Sequence, residues 1–487
     1  MIKIKKDIFD ALFYNALLTI AFFVIAQIGN SIFRLLATTL MLGITLLRYI
    51  ALKNELFLKN FIIFFLFDFF IFSMSYRYGI GKDAINYLYL IDFLLIIFLV
   101  KLLVTNNVKF INDKFVILYL ILVFVGIITG ILNSVSFVNC LIAGYIYIRC
   151  LPIYIVVTNP ATSFCRQDLI CFCIINIIPM PLLMLQYNNG GQDDMAGLFG
   201  FGGQPVFGLL AVIFITYFLY EYFQQNIKFR TAGIACLIFF LWTAVSESKM
   251  VMVYGFCVIA LFVVFFKKNK KKKLQISIKK LTMLLLIPIM LVIGLRVMLW
   301  LYPMWNVMFD MGIQRFLETS LIENRISYYS IGKLETIPFI FFSILETIIT
   351  KISGIGIGNG QPGLMSRYVT FAMNNNRSLD NIWEVLTTPF YETYGLNLGY
   401  HRSGIGILLL ECGLIGCILY LLIMVIIIKR CFILMRKNNN CIGWIGLSFI
   451  IFWLIYSFFY NTLFDLRYQV IFFFICGIIS KTLSENN

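Results

Sequence analysis

The residues best suited to chemistry in this sequence stand at the ends of long apolar runs. His401, Arg402 and Ser403 precede one such run, and Glu411 lies inside it. Lys249 closes a short polar turn, Ser246-Glu247-Ser248-Lys249, between two others. Arg325, Arg367 and Arg377 lie in a more polar stretch upstream of His401. Fixed cations beside an oxygen that gains negative charge stabilise a departing phosphate or a similar leaving group. An imidazole of ordinary pKa, or a carboxylate, can take the proton of an attacking hydroxyl, so His401 and Glu411 are rival general bases. A carboxylate within an apolar run is costly in hydrocarbon, which marks Glu411 as a functional candidate. His401 is the single histidine, so a multi-histidine metal centre is excluded. No Asp-x-Asp element occurs in residues 304–402, and no metal or cofactor is expected.

Glycines punctuate the same neighbourhood. Gly197-Leu198-Phe199-Gly200-Phe201-Gly202-Gly203-Gln204-Pro205 opens an apolar run, where backbone N–H groups at a helix start could meet an anion; the alternative is a plain loop. Gly354, Gly356, Gly358 and Gly360 break the chain upstream of His401. Gly413 and Gly416 follow Glu411 and either let helices approach closely or belong to the site.

The elements that must position these residues are membrane helices. Of 487 residues 61% are hydrophobic and only 13% charged, more apolar surface than a soluble fold can hide. Apolar runs long enough to cross the bilayer recur, and they predict about 14 spans. They lie near 11–29, 31–50, 60–76, 84–104, 115–133, 137–157, 169–186, 205–223, 230–246, 250–266, 281–303, 404–428, 441–460 and 464–480. The expected fold is an all-α polytopic integral membrane protein with one large extracytoplasmic loop. Lys and Arg gather in alternate connections, including eight lysines between Lys267 and Lys280, which puts both termini in the cytoplasm. Contact with anionic lipid is the functional alternative for that lysine run.

The chain therefore divides into N-terminal transmembrane helices (1–186), helices carrying the outer Gly-rich and Ser-Lys loops (187–303), a large outer loop (304–402) and C-terminal helices (403–487). Residues 313–331 and 337–349 in the loop mix apolar and polar positions, as helices lying on or dipping into a membrane surface do. The net charge of +16 follows topology, and no nucleic-acid partner is expected. Most cysteines lie inside apolar runs without metal-type spacing, and the Cys171-Phe172-Cys173 pair reads as small lipid-buried residues and not as a site. Arg34, Asp68, Asp92, Arg149 and Arg296 are intramembrane charges expected to be buried or to face a cavity.

From Gly197 to Gly416 the motifs follow one order. A Gly-x-Phe-Gly element precedes Pro205, then come the Ser-x-Ser-Lys turn, Arg325, the Gly-Ile-Gly-Ile-Gly run, and His401-Arg402-Ser403 leading to Glu411-Cys412-Gly413-Leu414-Ile415-Gly416. The series resembles the bacterial O-antigen polymerase and O-antigen ligase superfamily over about 220 of the residues. In that family the last motif runs from a histidine and a polar residue to Gly-x-x-Gly. Counting back from Gly413 puts Ser403 on the polar position and Arg402, not His401, on the histidine. Lys249 stands where arginine is more usual, keeping charge but not the bidentate fork.

The resemblance implies a fold of the GT-C polymerase and ligase type in the bacterial inner membrane, and glycosyl transfer on its outer face. The substrate would be an undecaprenyl-pyrophosphate-linked oligosaccharide, with a chain-length regulator and a flippase as partners in the same pathway. Lys249, Arg325, Arg402, Arg367, Arg377 and Ser403 would meet pyrophosphate or sugar. The alternatives are ligation of polymer to a lipid A core and, in a different class, transport of the lipid-linked saccharide.

Overall fold

The computed structural model describes residue 47 and residues 113–135, 137–159, 204–236, 336–359, 403–460, 462–464 and 466–485. The principal helices among them are α1 (Lys114–Leu132), α2 (Phe137–Ile148), α3 (Leu151–Thr158), α4 (Gln204–Phe223), α5 (Thr336–Phe339), α6 (Ile348–Ser353), α7 (Gly404–Asn438), α8 (Cys441–Phe459) and α9 (Leu466–Glu485). A π-helical turn, Ile340–Ile344, continues α5. No strand occurs among the described residues.

Five stretches are long and apolar enough to cross a membrane: Lys114–Leu132, Phe137–Thr158, Gly404–Arg436, Cys441–Phe459 and Tyr468–Glu485. They coincide with five predicted spans, and α4, whose apolar part is Gly208–Phe223, falls on a sixth. The other predicted spans lie outside the described residues, apart from residue 47 and residues 230–236. The class is therefore an all-α membrane protein.

Local chemistry sets the helix ends. Asp113 caps α1 by accepting the Phe115 N–H at 2.8 Å. The second span breaks between Ile148 and Leu151, and Pro152, which has no N–H to donate, sits in the first turn of α3, where none is needed. Asn440 caps α8 through the Ile442 N–H at 2.8 Å.

The interior is aromatic. Phe115 of α1 stacks on Tyr154 of α3 at 4.5 Å between centroids, and Trp453 of α8 stacks on Phe472 of α9 at 4.6 Å. The outward faces of α1 and α7 are equally apolar: Phe124, Leu132, Ile418, Leu421 and Val425 are exposed. Such faces suit contact with lipid tails and would be an aggregation liability in water. The cysteines at 140, 150, 412, 431, 441 and 476 are buried free thiols and those at 236 and 417 are part-buried; Cys171 and Cys173 lie outside the described residues.

One polar cluster ties four helices together. Arg430 of α7 pairs with Asp113 at 2.5 Å and donates to the Tyr154 hydroxyl of α3 at 2.9 Å and to Ser480 of α9 at 2.5 Å. Tyr154 in turn donates to Asp113. Burial pushes the Asp113 carboxyl up, but the hydrogen bonds from Arg430 and Tyr154 and the Arg430 charge outweigh it, and the net direction is below the usual aspartate value. A carboxyl with a lowered folded-state pKa adds stability above the unfolded value and loses it as pH falls through the folded one. Asp113→Asn is therefore expected to lower Tm at neutral pH. The gap to wild type should close as the pH drops below the ordinary carboxylate range, and a pH-independent gap would refute the assignment.

Candidate functional site at a broken helix

The sequence reading has a plain span from 404 to 428, whereas α7 is interrupted. Gly413 takes φ 63° and ψ −161°, a conformation essentially restricted to glycine, inside the Gly404–Asn438 helix. The interruption folds the first segment back. A straight helix would separate Ser403 from Tyr420 by about 25 Å. Yet the Ser403 hydroxyl donates to the Ser457 carbonyl at 3.3 Å, and the Tyr420 hydroxyl lies 3.3 Å from the Ser457 hydroxyl.

The break exposes the carbonyls of Leu410 and Glu411, whose helical partners would lie four residues on, beyond Gly413. The Gly-rich run supplies replacements. After α6 ends at Gly354, the Ile355 N–H donates to Leu410 O and the Gly356 N–H to Glu411 O, each at 2.9 Å, and the Ile357 N–H donates to Gly126 O of α1 at 3.1 Å. Three successive amides thus stitch α7 to α1, and non-helical backbone at this depth keeps its hydrogen bonds. The fit leaves no room for side chains: a β-carbon on Gly356, where φ is +92°, would stand 2.0 Å from Gly130 Cα.

Glu411 is the centre of this crossing. It is 1% exposed; one carboxylate oxygen accepts the Gly358 N–H at 3.2 Å and the other the Tyr147 hydroxyl of α2 at 2.7 Å. Asn139 of α2 donates to Gly358 O at 2.8 Å, and Asn359 closes the turn on Ile355 O at 2.7 Å. The short helices upstream are anchored to the same place, with Ile340 and Leu345 packing on Leu409 and Leu410. Phe342, Ile348, Ile349 and Ile352 are exposed, in keeping with a segment at a membrane surface.

Ser403 sits in a second, adjoining cluster. Fully buried, it caps α7 by accepting the Gly406 N–H at 2.9 Å, while the Gly404 N–H donates to Tyr460 O at 2.9 Å. The chain continues through Ser457 to Thr462 at 2.7 Å, and Trp453 donates to Tyr420 at 2.8 Å. Ser403 thereby fixes the direction in which the chain enters α7, immediately after His401 and Arg402.

Of the residues singled out in the sequence, the structure brings Glu411, Gly356, Gly358 and Gly413 together. Gly416 lies one turn below, where a β-carbon would stand 2.2 Å from Cys412 Cβ. Gly413 serves the break and the passage of the Gly354 backbone across it, a closer approach than helix packing alone requires. His401, Arg402, Lys249, Arg325, Arg367, Arg377, Gly197 and Gly200 lie outside the described residues. The sequence reading does not single out Asn139 and Tyr147. Their signal is a polar side chain recurring along the apolar run that also holds Arg149.

No family model and no curated protein matches the chain.

Proposed function

We propose that this protein polymerises undecaprenyl-pyrophosphate-linked oligosaccharide repeat units on the outer face of the bacterial inner membrane. The observation that supports it best is the insertion of the Gly354–Asn359 segment, part of the long loop, into the bundle at Glu411, next to the entry of α7 that follows His401 and Arg402. A loop anchored this way is suited to roof a pocket that opens outward. An outward pocket has no access to cytosolic nucleotide sugars, so its glycosyl donor has to be carried by a lipid.

In the proposed reaction an acceptor hydroxyl oxygen forms a bond to the anomeric carbon of the donor. The bond from that carbon to the pyrophosphate oxygen breaks, and its electron pair leaves with the lipid pyrophosphate. His401 takes the hydroxyl proton, and Lys249, Arg325 and Arg402 meet the charge that grows on the leaving group. Arg367 and Arg377 hold phosphate or sugar from the loop. Glu411, with donors on both oxygens, positions the loop and is not assigned the proton.

Deleting the gene is the direct test. A product stopped at one repeat unit supports polymerisation; finished polymer left on its lipid carrier points to ligation, and repeat units held inside point to transport. Arg325→Ala or Arg402→Ala should cost about 100-fold or more in chain extension with protein abundance unchanged. Normal chain-length ladders in both would remove them from the site.

A further inference from the structure

A helix end leaves its last carbonyls open. At the end of α2, Ile146 O accepts the side-chain amide of Gln469 of α9 at 2.9 Å, and Tyr147 O accepts the Tyr119 hydroxyl of α1 at 3.1 Å. The Gln469 amide also donates to Leu463 O in the turn between α8 and α9, and Gln469 Oε1 accepts Arg149 Nε at 3.1 Å. Arg149, at the break between α2 and α3, reaches the next carbonyl of that turn, Phe464 O, through Nη2 at 2.9 Å. Two buried side chains from different helices thus hold two successive carbonyls of one turn, and hold each other.

The other side of the turn carries the start of α7. Tyr460 O accepts the Gly404 N–H at 2.9 Å and the Thr462 N–H at 2.8 Å. The Thr462 hydroxyl lies 2.7 Å from that of Ser457, whose carbonyl accepts the Ser403 hydroxyl at 3.3 Å. The approach is close: a β-carbon on Gly404 would stand 3.2 Å from Tyr460 O and 3.3 Å from the Thr462 nitrogen. Ser403 and Gly404 directly follow His401 and Arg402 in the chain.

We infer that Arg149 and Gln469 are positioning residues for the start of α7: by fixing the turn between α8 and α9, they set where His401 and Arg402 stand. The guanidinium suits the task because its planar fork meets two acceptors in one geometry, which an ammonium on a flexible stem does not. A misplacement of about 1 Å can cost about 100-fold in rate, even when its cause is far from the chemistry. That His401 takes a proton and Arg402 meets charge rests on the function proposed above; their placement by this turn does not.

His401 is the single histidine, so protein carrying 13C-labelled histidine and purified without a histidine tag gives one imidazole signal. Arg149→Lys, which keeps the charge and loses the fork, should move that signal by more than its line width and change its pH titration. Asp113→Asn is the control for general destabilisation. It breaks the Arg430 pair near the start of α8, where Cys431 packs on Gly443, about 20 Å along that helix from Ser457. It should lower Tm and leave the His401 signal in place. An unmoved signal in Arg149→Lys, or an equal movement in Asp113→Asn, overturns the inference.

Should Arg149→Lys fail to fold, Gln469→Met makes the same test, since it removes the bonds to Arg149, Ile146 and Leu463 and leaves Arg149 its bond to Phe464. Hydrogen exchange on wild type needs no variant: peptides covering 145–150, 403–407 and 460–464 should open in one step, and opening of 403–407 while 460–464 stays protected overturns the inference. Chain extension is read separately and should fall about tenfold or more in Arg149→Lys. A moved signal with normal extension upholds the positioning and counts against His401 as the base.

Discussion

Gly413→Ala is expected to be among the most destabilising single substitutions in the described bundle. A non-glycine residue at this φ and ψ costs about 1–3 kcal/mol in backbone strain alone. The added methyl would also stand 2.4 Å from both Gly354 N and Ile352 O, backbone atoms that cannot swing aside. Strain and overlap together point to a loss of about 3 kcal/mol or more. The Ile355–Gly358 segment would be displaced, and with it the hydrogen bonds to Leu410, Glu411 and Gly126. Gly233→Ala is the control, because no heavy atom lies within 4 Å of a β-carbon there. Thermal unfolding of the purified protein in detergent measures both. A wild-type Tm for Gly413→Ala would mean that the break in α7 is not required.

Glu411 should respond in opposite ways to two substitutions. Glu411→Ala strands the Tyr147 hydroxyl and the Gly358 N–H in a buried setting, at about 1–3 kcal/mol for each unpaired group. In Glu411→Gln the amide oxygen still accepts from Gly358 and the amide nitrogen donates to the Tyr147 oxygen, so stability should stay near wild type. Under the proposed reaction Glu411→Gln should also retain chain extension within about threefold, whereas losing a general base costs about 100-fold or more. His401→Ala should show that larger loss. Should Glu411→Gln abolish extension while keeping its Tm, the proton-accepting role passes to the carboxylate. Tyr147→Phe combined with Glu411→Gln should be non-additive, since both act on one hydrogen bond.

The spans of the C-terminal third were legible because an apolar run about as long as the bilayer is thick has few alternatives. The break at Gly413 was not, because Glu-Cys-Gly-Leu-Ile-Gly within an apolar run reads as helix. The spacing of Gly413 and Gly416 also suits plain helix packing, and what opens the helix is the Gly354 backbone arriving from more than fifty positions upstream. Glu411 was conspicuous as a charge in hydrocarbon, but Tyr147, its donor, is 264 positions away in the chain. Arg149 was expected to be buried or to face a cavity, and it is buried. Its partner Gln469, 320 positions off, has no local signature. Ser403 was expected at pyrophosphate, and in the structure its hydroxyl caps a helix and bonds to Ser457. Short-range caps and turns follow from neighbouring residues, whereas pairing across the bundle depends on topology that local sequence does not encode.

The stitch between α1 and α7 also constrains how the chain can be made. Gly126 and Tyr147 leave the ribosome long before Ile357 and Glu411 exist, so α1 and α2 enter the bilayer with the seat for the Gly-rich segment still vacant. Helix α7, for its part, has no reason to open at Gly413 until that segment is in place. Insertion of the first helices and maturation of the bundle are therefore separate events, and a translation product that stops before residue 354 should be membrane-inserted while lacking every hydrogen bond that the Gly-rich segment makes to α1 and α2.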